Sequence, residues 1–213
     1  MKNFSFNREQ ASKQDAPRSL SANGAYVGKI VQAEFYDSNS GAQMFECVFN
    51  CEGANTKLQM CVVDKHGNDT FQVGFLQSLM GLLGLSELKS QAGKAKDLRD
   101  GTIYDTYRIP SIENKPIGIL LQKEMDVYTN KNNEQKEVWN MRIISFFDAE
   151  TNQTYHEKAN NQPAKTIEAR LAQMKDRTTK RYDEWKRTQS NQGGYGQGYE
   201  TAQADDYYDE VPF

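Results

Sequence analysis

Three runs and the breaks between them decide the fold: AYVGKIVQAEFY (25–36), DSNSG (37–41), AQMFECVFNC (42–51), EGAN (52–55) and TKLQMCVV (56–63). The long runs are rich in β-branched and aromatic residues, and the breaks carry Gly, Asn or Asp, so the stretch reads as a three-strand meander. Within the second run Phe45, Cys47, Phe49 and Cys51 alternate, which places them on one buried strand face, with Phe35 as a further core filler.

Working outward, residues 1–23 are polar, contain Pro17 and show no period, so they read as a loose N-terminal arm. After the meander, FQVGFLQSLMGLLGL (71–85) repeats apolar side chains at Phe75, Leu79, Leu82 and Leu83, a helical spacing. Residues 86–101 are polar and charged, and TIYDTYRI (102–109) reads as a short additional strand. The clearest hairpin follows: PIGILLQKEMDVYT (116–129), the turn NKNNE (130–134) and QKEVWNMRIISFF (135–147). Strand, strand, strand, helix, strand, strand is the order of the OB-fold, a five-stranded, partly open barrel. The expectation is a mainly β chain with an OB-fold domain over 24–160 and a helix between its third and fourth strands. Beyond it come a basic amphipathic C-terminal helix (161–188), a Gly/Gln-rich disordered linker (189–204) and an acidic tip (205–213).

Hydrophobic residues make up 37% of the 213, with a mean hydropathy of -0.83, which is polar for a packed chain of this length and fits a body with a solvated tail. No run approaches the roughly 18 apolar residues that span a bilayer, and the N-terminus lacks a signal-peptide core, so a soluble cytoplasmic protein is expected. Three cysteines cannot all pair, which favours reduced thiols.

The net charge of -3 averages two unlike pieces. All 26 basic residues precede Thr188, against 24 of the 29 acids, and the remaining five acids lie in the tail. The segment 164–187 is the most basic, with eight cations against four acids and an apolar stripe of Ile167, Leu171, Met174, Tyr182 and Trp185. Such a helix either tracks phosphates or docks its stripe on the barrel or on a second subunit.

The chain ends in Asp205, Asp206, Tyr207, Tyr208, Asp209, Glu210, Val211, Pro212, Phe213, behind the low-complexity linker. This ending resembles the acidic tip of bacterial and phage single-stranded DNA-binding proteins, an acidic run followed by an aliphatic residue, Pro and a terminal Phe. The body is also similar to phage members of that family around GAYVGKIVQAEF. The resemblance implies a division of labour in replication, recombination and repair. An OB-fold body coats and protects single strands, and Asp205, Asp206, Asp209, Glu210, Val211, Pro212 and Phe213 recruit partner enzymes. If phage-encoded, the protein would work in the bacterial host cytoplasm. A Phe ring beside a free carboxylate suits a pocket with one apolar slot and one cation, and the acids in front add long-range attraction.

Binding bare single strands requires rings for stacking and cations for phosphates. The hairpin offers Lys123, Tyr128, Lys131, Lys136, Trp139 and Arg142. Alternation puts Lys136, Val138, Asn140 and Arg142 on one face and Trp139, Met141, Ile143 and Phe147 on the other. Arg142 is thereby a phosphate candidate, whereas Trp139 is either core or stacker. Tyr104, Tyr107 and Arg108 form a second cluster, and Lys29, Tyr36 and Lys57 are the accessible candidates of the meander.

Other chemistries have weaker support. Cys47, Cys51, Cys61 and His66 are zinc-ligand types, but C-x3-C followed by C-x4-H is not a usual spacing, and no metal or cofactor is expected. Asp97, Asp100 and Asp105 read as solvated charges in a Lys-rich loop. Nucleotide-binding and hydrolase motifs are lacking, so no enzyme is expected. The rival reading is an adaptor or decoy that uses the tip to occupy host replication and repair proteins without binding DNA, favoured by the charge of -2 over residues 1–163. Oligomeric state stays open, a homo-oligomer included.

Overall fold

The computed structural model describes residues 5–6, 19–98 and 100–192. The expected tip, the expected linker beyond residue 192 and most of the expected arm lie outside them; residues 189–192, expected to begin the linker, continue the last described helix instead. At its described end the arm is tied down. The Leu20 amide donates to the Thr56 hydroxyl (2.8 Å), and Asn23 accepts from the Lys123 amide (2.6 Å) while donating to Asp176 (2.8 Å).

The meander forms as its alternation predicts, as β1 (Gly24–Asp37), β2 (Gln43–Cys51) and β3 (Ala54–Val63), paired antiparallel. Glu52 and Gly53, with φ of 49° and 84°, make the two-residue turn between β2 and β3, and positive φ at both positions matches the twist of the flanking strands. The inward residues Phe45, Cys47, Phe49, Cys51, Leu58 and Met60 join one core with Ile30 and Ala33. Phe35 packs at its margin, edge-on to Phe45 at 5.8 Å. Burial pushes the Cys47 thiol far above the ordinary thiol range, with the nearby Glu46 charge adding to the effect.

Helix α1 (Val73–Leu82) closes one side of that core with Leu76, Leu79 and Leu82. A hairpin not read in full from the sequence follows: β4 (Gln91–Lys96) pairs with β5 (Ile103–Arg108). The long hairpin β6 (Pro116–Thr129) and β7 (Gln135–Phe147) completes the sheet. The eight strands of the described residues belong to one sheet, antiparallel except for its last member. β3 lies against β7, but among the described residues no ladder joins them.

Two expectations change here. A bulge shifts the β6–β7 register between Leu120 and Leu121, leaving Ile144 without a partner. Side-chain parity therefore reverses. Phe146 joins Ile143 in the main core, and Phe147 turns to a second cluster with Leu120 and Ile167. The predicted helix over 161–188 is also not continuous. α2 (Tyr155–Ala159) and α3 (Thr166–Gln173) precede a two-residue strand β8 (Arg177–Thr178), parallel to β6, and α4 (Lys180–Gln192) follows. β6 outruns its pairing with β1, and its bare backbone groups need partners. The segment supplies them, with Thr179 donating its amide to the Met125 carbonyl (2.9 Å). The Thr179 hydroxyl then accepts from the Tyr182 amide (3.1 Å) and starts α4. Of the predicted stripe, Ile167 is buried and Met174 packs beside it, but Leu171 is exposed. Among the described residues no helix is long and apolar enough to cross a membrane.

Glu157 ties α2 to α3. Its buried carboxylate closes a capping box with Thr154 and accepts from the Lys165 amide (2.9 Å), the Thr166 amide (2.8 Å) and the Thr166 hydroxyl (2.7 Å). Desolvation alone would raise its pKa, but these donors outweigh it and bring it down to about 2. A depressed carboxyl stabilises above its unfolded pKa of about 4.3, and that contribution is lost as pH falls through the folded value. Glu157→Gln should remove roughly 3 kcal/mol of acid-dependent stability between about pH 4.5 and 2. Asp148, lowered to about 2 chiefly by Lys158, leaves a residual slope in the same window. Urea denaturation at a series of pH values measures the change, and superimposable profiles for the two proteins would contradict it.

Candidate nucleic-acid interface

β1 has two successive neighbours along one edge. Residues 24–29 pair with β6, whereas Glu34 and Phe35 pair with β5. In the gap between, the Asn114 amide donates to the Ile30 carbonyl (2.6 Å), the Ala33 amide to Glu113 Oε1 (3.1 Å), and the Ile109 amide to the Ala33 carbonyl (2.9 Å). Arg108 Nε donates to the same Glu113 oxygen (2.9 Å), its second guanidinium nitrogen pairs with Glu113 Oε2, and the third donates to the Lys94 carbonyl (3.0 Å).

Past that four-residue junction, Ile30 to Ala33, the β4–β5 hairpin bends over the outer face of β1–β3. Tyr104 donates its hydroxyl to Glu34 Oε1 (2.5 Å), and the Lys96 amide donates to Gln32 Oε1 (2.9 Å). The cover buries two outward-facing carboxylates that alternation alone would leave in water, Glu34 at 3% and Glu46 at 5% exposure. Glu46 accepts from Lys57 Nζ (2.6 Å) and from the Gln59 side-chain amide. Burial first, then the bond to Glu34 and the charges of Glu34, Glu46 and Asp97, push the Tyr104 phenol far above its ordinary range. Tyr36 is pushed the same way, by burial and then by Glu46 and Glu34.

Three adjoining hollows follow the outer face under and beside this hairpin. The first, of about 790 Å³, lies between the end of β1 and the hairpin, with Phe35, Tyr36, Lys94 and Tyr107 in its walls. The central one, of about 450 Å³, shares Tyr36, Asp105 and Thr106 with the first and is lined also by Glu34, Glu46 and Tyr104. The third, of about 580 Å³, shares Lys57 and Gln59 with the central one and lies at the β3–β7 seam, walled by Phe71, Asn140 and Arg142. Together they form a trough with an exposed ring at each end, Tyr107 (63%) and Phe71 (70%).

Of the sequence candidates, Tyr36, Lys57, Tyr104, Tyr107 and Arg142 come together in this trough. Arg142 sits 5.8 Å from the Phe71 ring centre and pairs with Glu124 (3.3 Å), which also takes Arg177 (3.2 Å). Phe71 was hidden because the helical reading of 71–85 enclosed it; it stands just before α1, edge-on to Phe75 at 6.1 Å. Arg108 is held by Glu113 and Lys94 within the fold. Lys29 is exposed beside Asn50 and Asn114, in a separate shallow hollow.

The hairpin candidates form a second group. Lys123 Nζ lies 4.1 Å from the Trp139 ring centre, and Trp139 and Tyr128 are each 45% exposed. Trp139 is thus neither core nor a bare stacking surface. Lys136 pairs with Glu134 (3.3 Å), and Lys131 is exposed in the turn. The basic C-terminal segment spends its cations on this hairpin: Arg181 pairs with Asp126 (2.5 Å) and Lys186 with Glu137 (2.6 Å).

Compared with known proteins, the chain matches no family model and no curated sequence. The chemistry of the trough has to carry the functional reading.

Glu113→Ala would orphan the Ala33 amide and strand the Arg108 guanidinium, and should cost about 1–3 kcal/mol. Lys29→Ala should be within about 0.5 kcal/mol of wild type, since among the described residues its side chain has no hydrogen-bond or ion-pair partner. Paired thermal melts test both, and equal melting temperatures for Glu113→Ala and wild type would refute the bracing role.

Proposed function

We propose that the chain binds single-stranded DNA along the trough, as a coating protein in replication, recombination or repair, and recruits enzymes through residues 205–213. One observation carries the reading: four rings from three segments, Phe71, Tyr36 and the β5 pair Tyr104 and Tyr107, line adjoining hollows of one face together with Lys57, Lys94 and Arg142. Non-specific single-strand binding uses this combination of stacking surfaces and cations. The element order supports reading residues 24–147 as an OB-type barrel, open at the β3–β7 seam and carrying β4–β5 as an insertion. In that architecture the outer face of the second and third strands binds oligonucleotides. No catalysis and no cofactor enter the proposal.

The adaptor reading is favoured by a different observation: each of the three trough cations has a carboxylate partner, Glu46 for Lys57, Asp105 for Lys94 and Glu124 for Arg142. Anisotropy titration of a labelled oligo-dT at several salt concentrations separates the two. Single-strand binding predicts an affinity that falls with salt, with a log–log slope of about -0.7 per neutralised phosphate. It also predicts a loss of about 1–3 kcal/mol for each of Phe71→Ala and Tyr107→Ala, with unchanged circular dichroism. Absence of binding at low salt would leave the adaptor.

Recruitment is tested with Phe213→Ala. Surface plasmon resonance against purified bacterial replication and repair proteins should show lost docking while oligo-dT affinity is kept. Docking equal to wild type would remove the tip from the proposal.

A further inference from the structure

Resting on the single-strand reading, we propose that the central hollow is a base pocket selective for an exocyclic amino group, with Glu34 as the acceptor. Glu34 lines the hollow yet is 97% withdrawn from solvent (3% exposed), and its two oxygens are unequal. Oε1 takes the Tyr104 hydroxyl, whereas Oε2 is buried and has no hydrogen-bond partner among the described residues. Its neighbour Glu46 is satisfied by Lys57 and Gln59. A buried carboxylate oxygen without a donor is costly, and an incoming N–H relieves that cost.

The same two carboxylates decide which part of a strand can face the floor. Phosphate is repelled by Glu34 and Glu46, so the backbone runs along the trough's cationic rim and a base points inward. The hollow, at about 450 Å³, has room for one base, and the Tyr36 and Tyr104 rings line it. Among pyrimidines, cytosine presents an amino donor at position 4 where uracil and thymine present a carbonyl. A carboxylate acceptor fits the first and opposes the second.

The experiment compares fluorescein-labelled oligo-dC and oligo-dU of equal length at pH 8, strands whose bases differ in the amino-for-carbonyl exchange at position 4 and in the proton that uracil carries on the adjoining N3. Wild type should bind oligo-dC about tenfold more tightly, the size of one hydrogen bond to a charged acceptor. Glu34→Gln, whose amide can donate to a carbonyl, should bring the ratio near one. Tyr104→Phe leaves both Glu34 oxygens to the base and should keep the tenfold ratio, which preserves the test if Glu34→Gln fails to fold. Equal wild-type affinities overturn the inference, as does an unchanged ratio in folded Glu34→Gln or a ratio of one in Tyr104→Phe. Binding of both strands with no preference refutes the pocket alone, whereas binding of neither refutes the single-strand reading beneath it.

Discussion

Every strand in this sheet depends on how β1 changes partners along one edge. A strand cannot leave its neighbour without exposing backbone donors and acceptors, and an unmet buried amide costs more than a typical hydrogen bond contributes. Here the handover from β6 to β5 is closed by Glu113, whose carboxylate stands in for a strand at the Ala33 amide and anchors Arg108. The ladder is thus interrupted in pairing but not in hydrogen bonding. That continuity lets β5 and β6 diverge.

The two diverging strands build different surfaces. β5 carries its hairpin over the outer face, and the weight of Tyr104 on Glu34 turns an open sheet into a walled trough. β6 runs the other way, past the end of its β1 pairing, and its exposed edge captures residues 177–179 and then α4. The acids of the long hairpin, Glu124, Asp126 and Glu137, accept the cations of that segment. The basic segment therefore neutralises the acidic hairpin it packs on.

What was legible in the sequence was local and periodic. The alternation of Phe45, Cys47, Phe49 and Cys51, the turn at Glu52 and Gly53, and the two strands of the long hairpin all follow from neighbours a few residues apart. What was illegible came from distant partners. Glu46 reads as a solvent-facing residue until a hairpin that begins 45 positions downstream, at Gln91, covers it. Phe147 reads as a partner of Ile143 until one unpaired residue, Ile144, reverses parity. Arg108 has the composition of a phosphate contact and the partners of a brace. β4, QAGKAK, has low strand propensity and exists because β5 pairs with it, a case of tertiary context overriding propensity. The segment 164–187 kept its helical period on paper, yet the edge of β6 demanded an extended stretch in its middle. The trough was legible as residue types, while Phe71 became visible only through its place beside the β3–β7 seam.

The pairing of the trough's cations shapes how a polyanion would have to engage it. Lys57, Lys94 and Arg142 do not wait as free charges; a phosphate approaching any of them competes with a carboxylate already in place. Lys94 and Asp105 are both largely exposed, so that exchange is cheap, because exposed pairs contribute little. Arg142 and Glu124 are mostly withdrawn from water, but Glu124 keeps Arg177 when Arg142 turns away, and so is not stranded. Lys57 is the costly one, since Glu46 is nearly buried and would retain the Gln59 amide alone. The energetically easy phosphate contacts therefore lie at the two ends of the trough, beside the exposed rings of Tyr107 and Phe71. The middle is left to groups that carboxylates attract, which on the single-strand proposal would be the amino edges of bases.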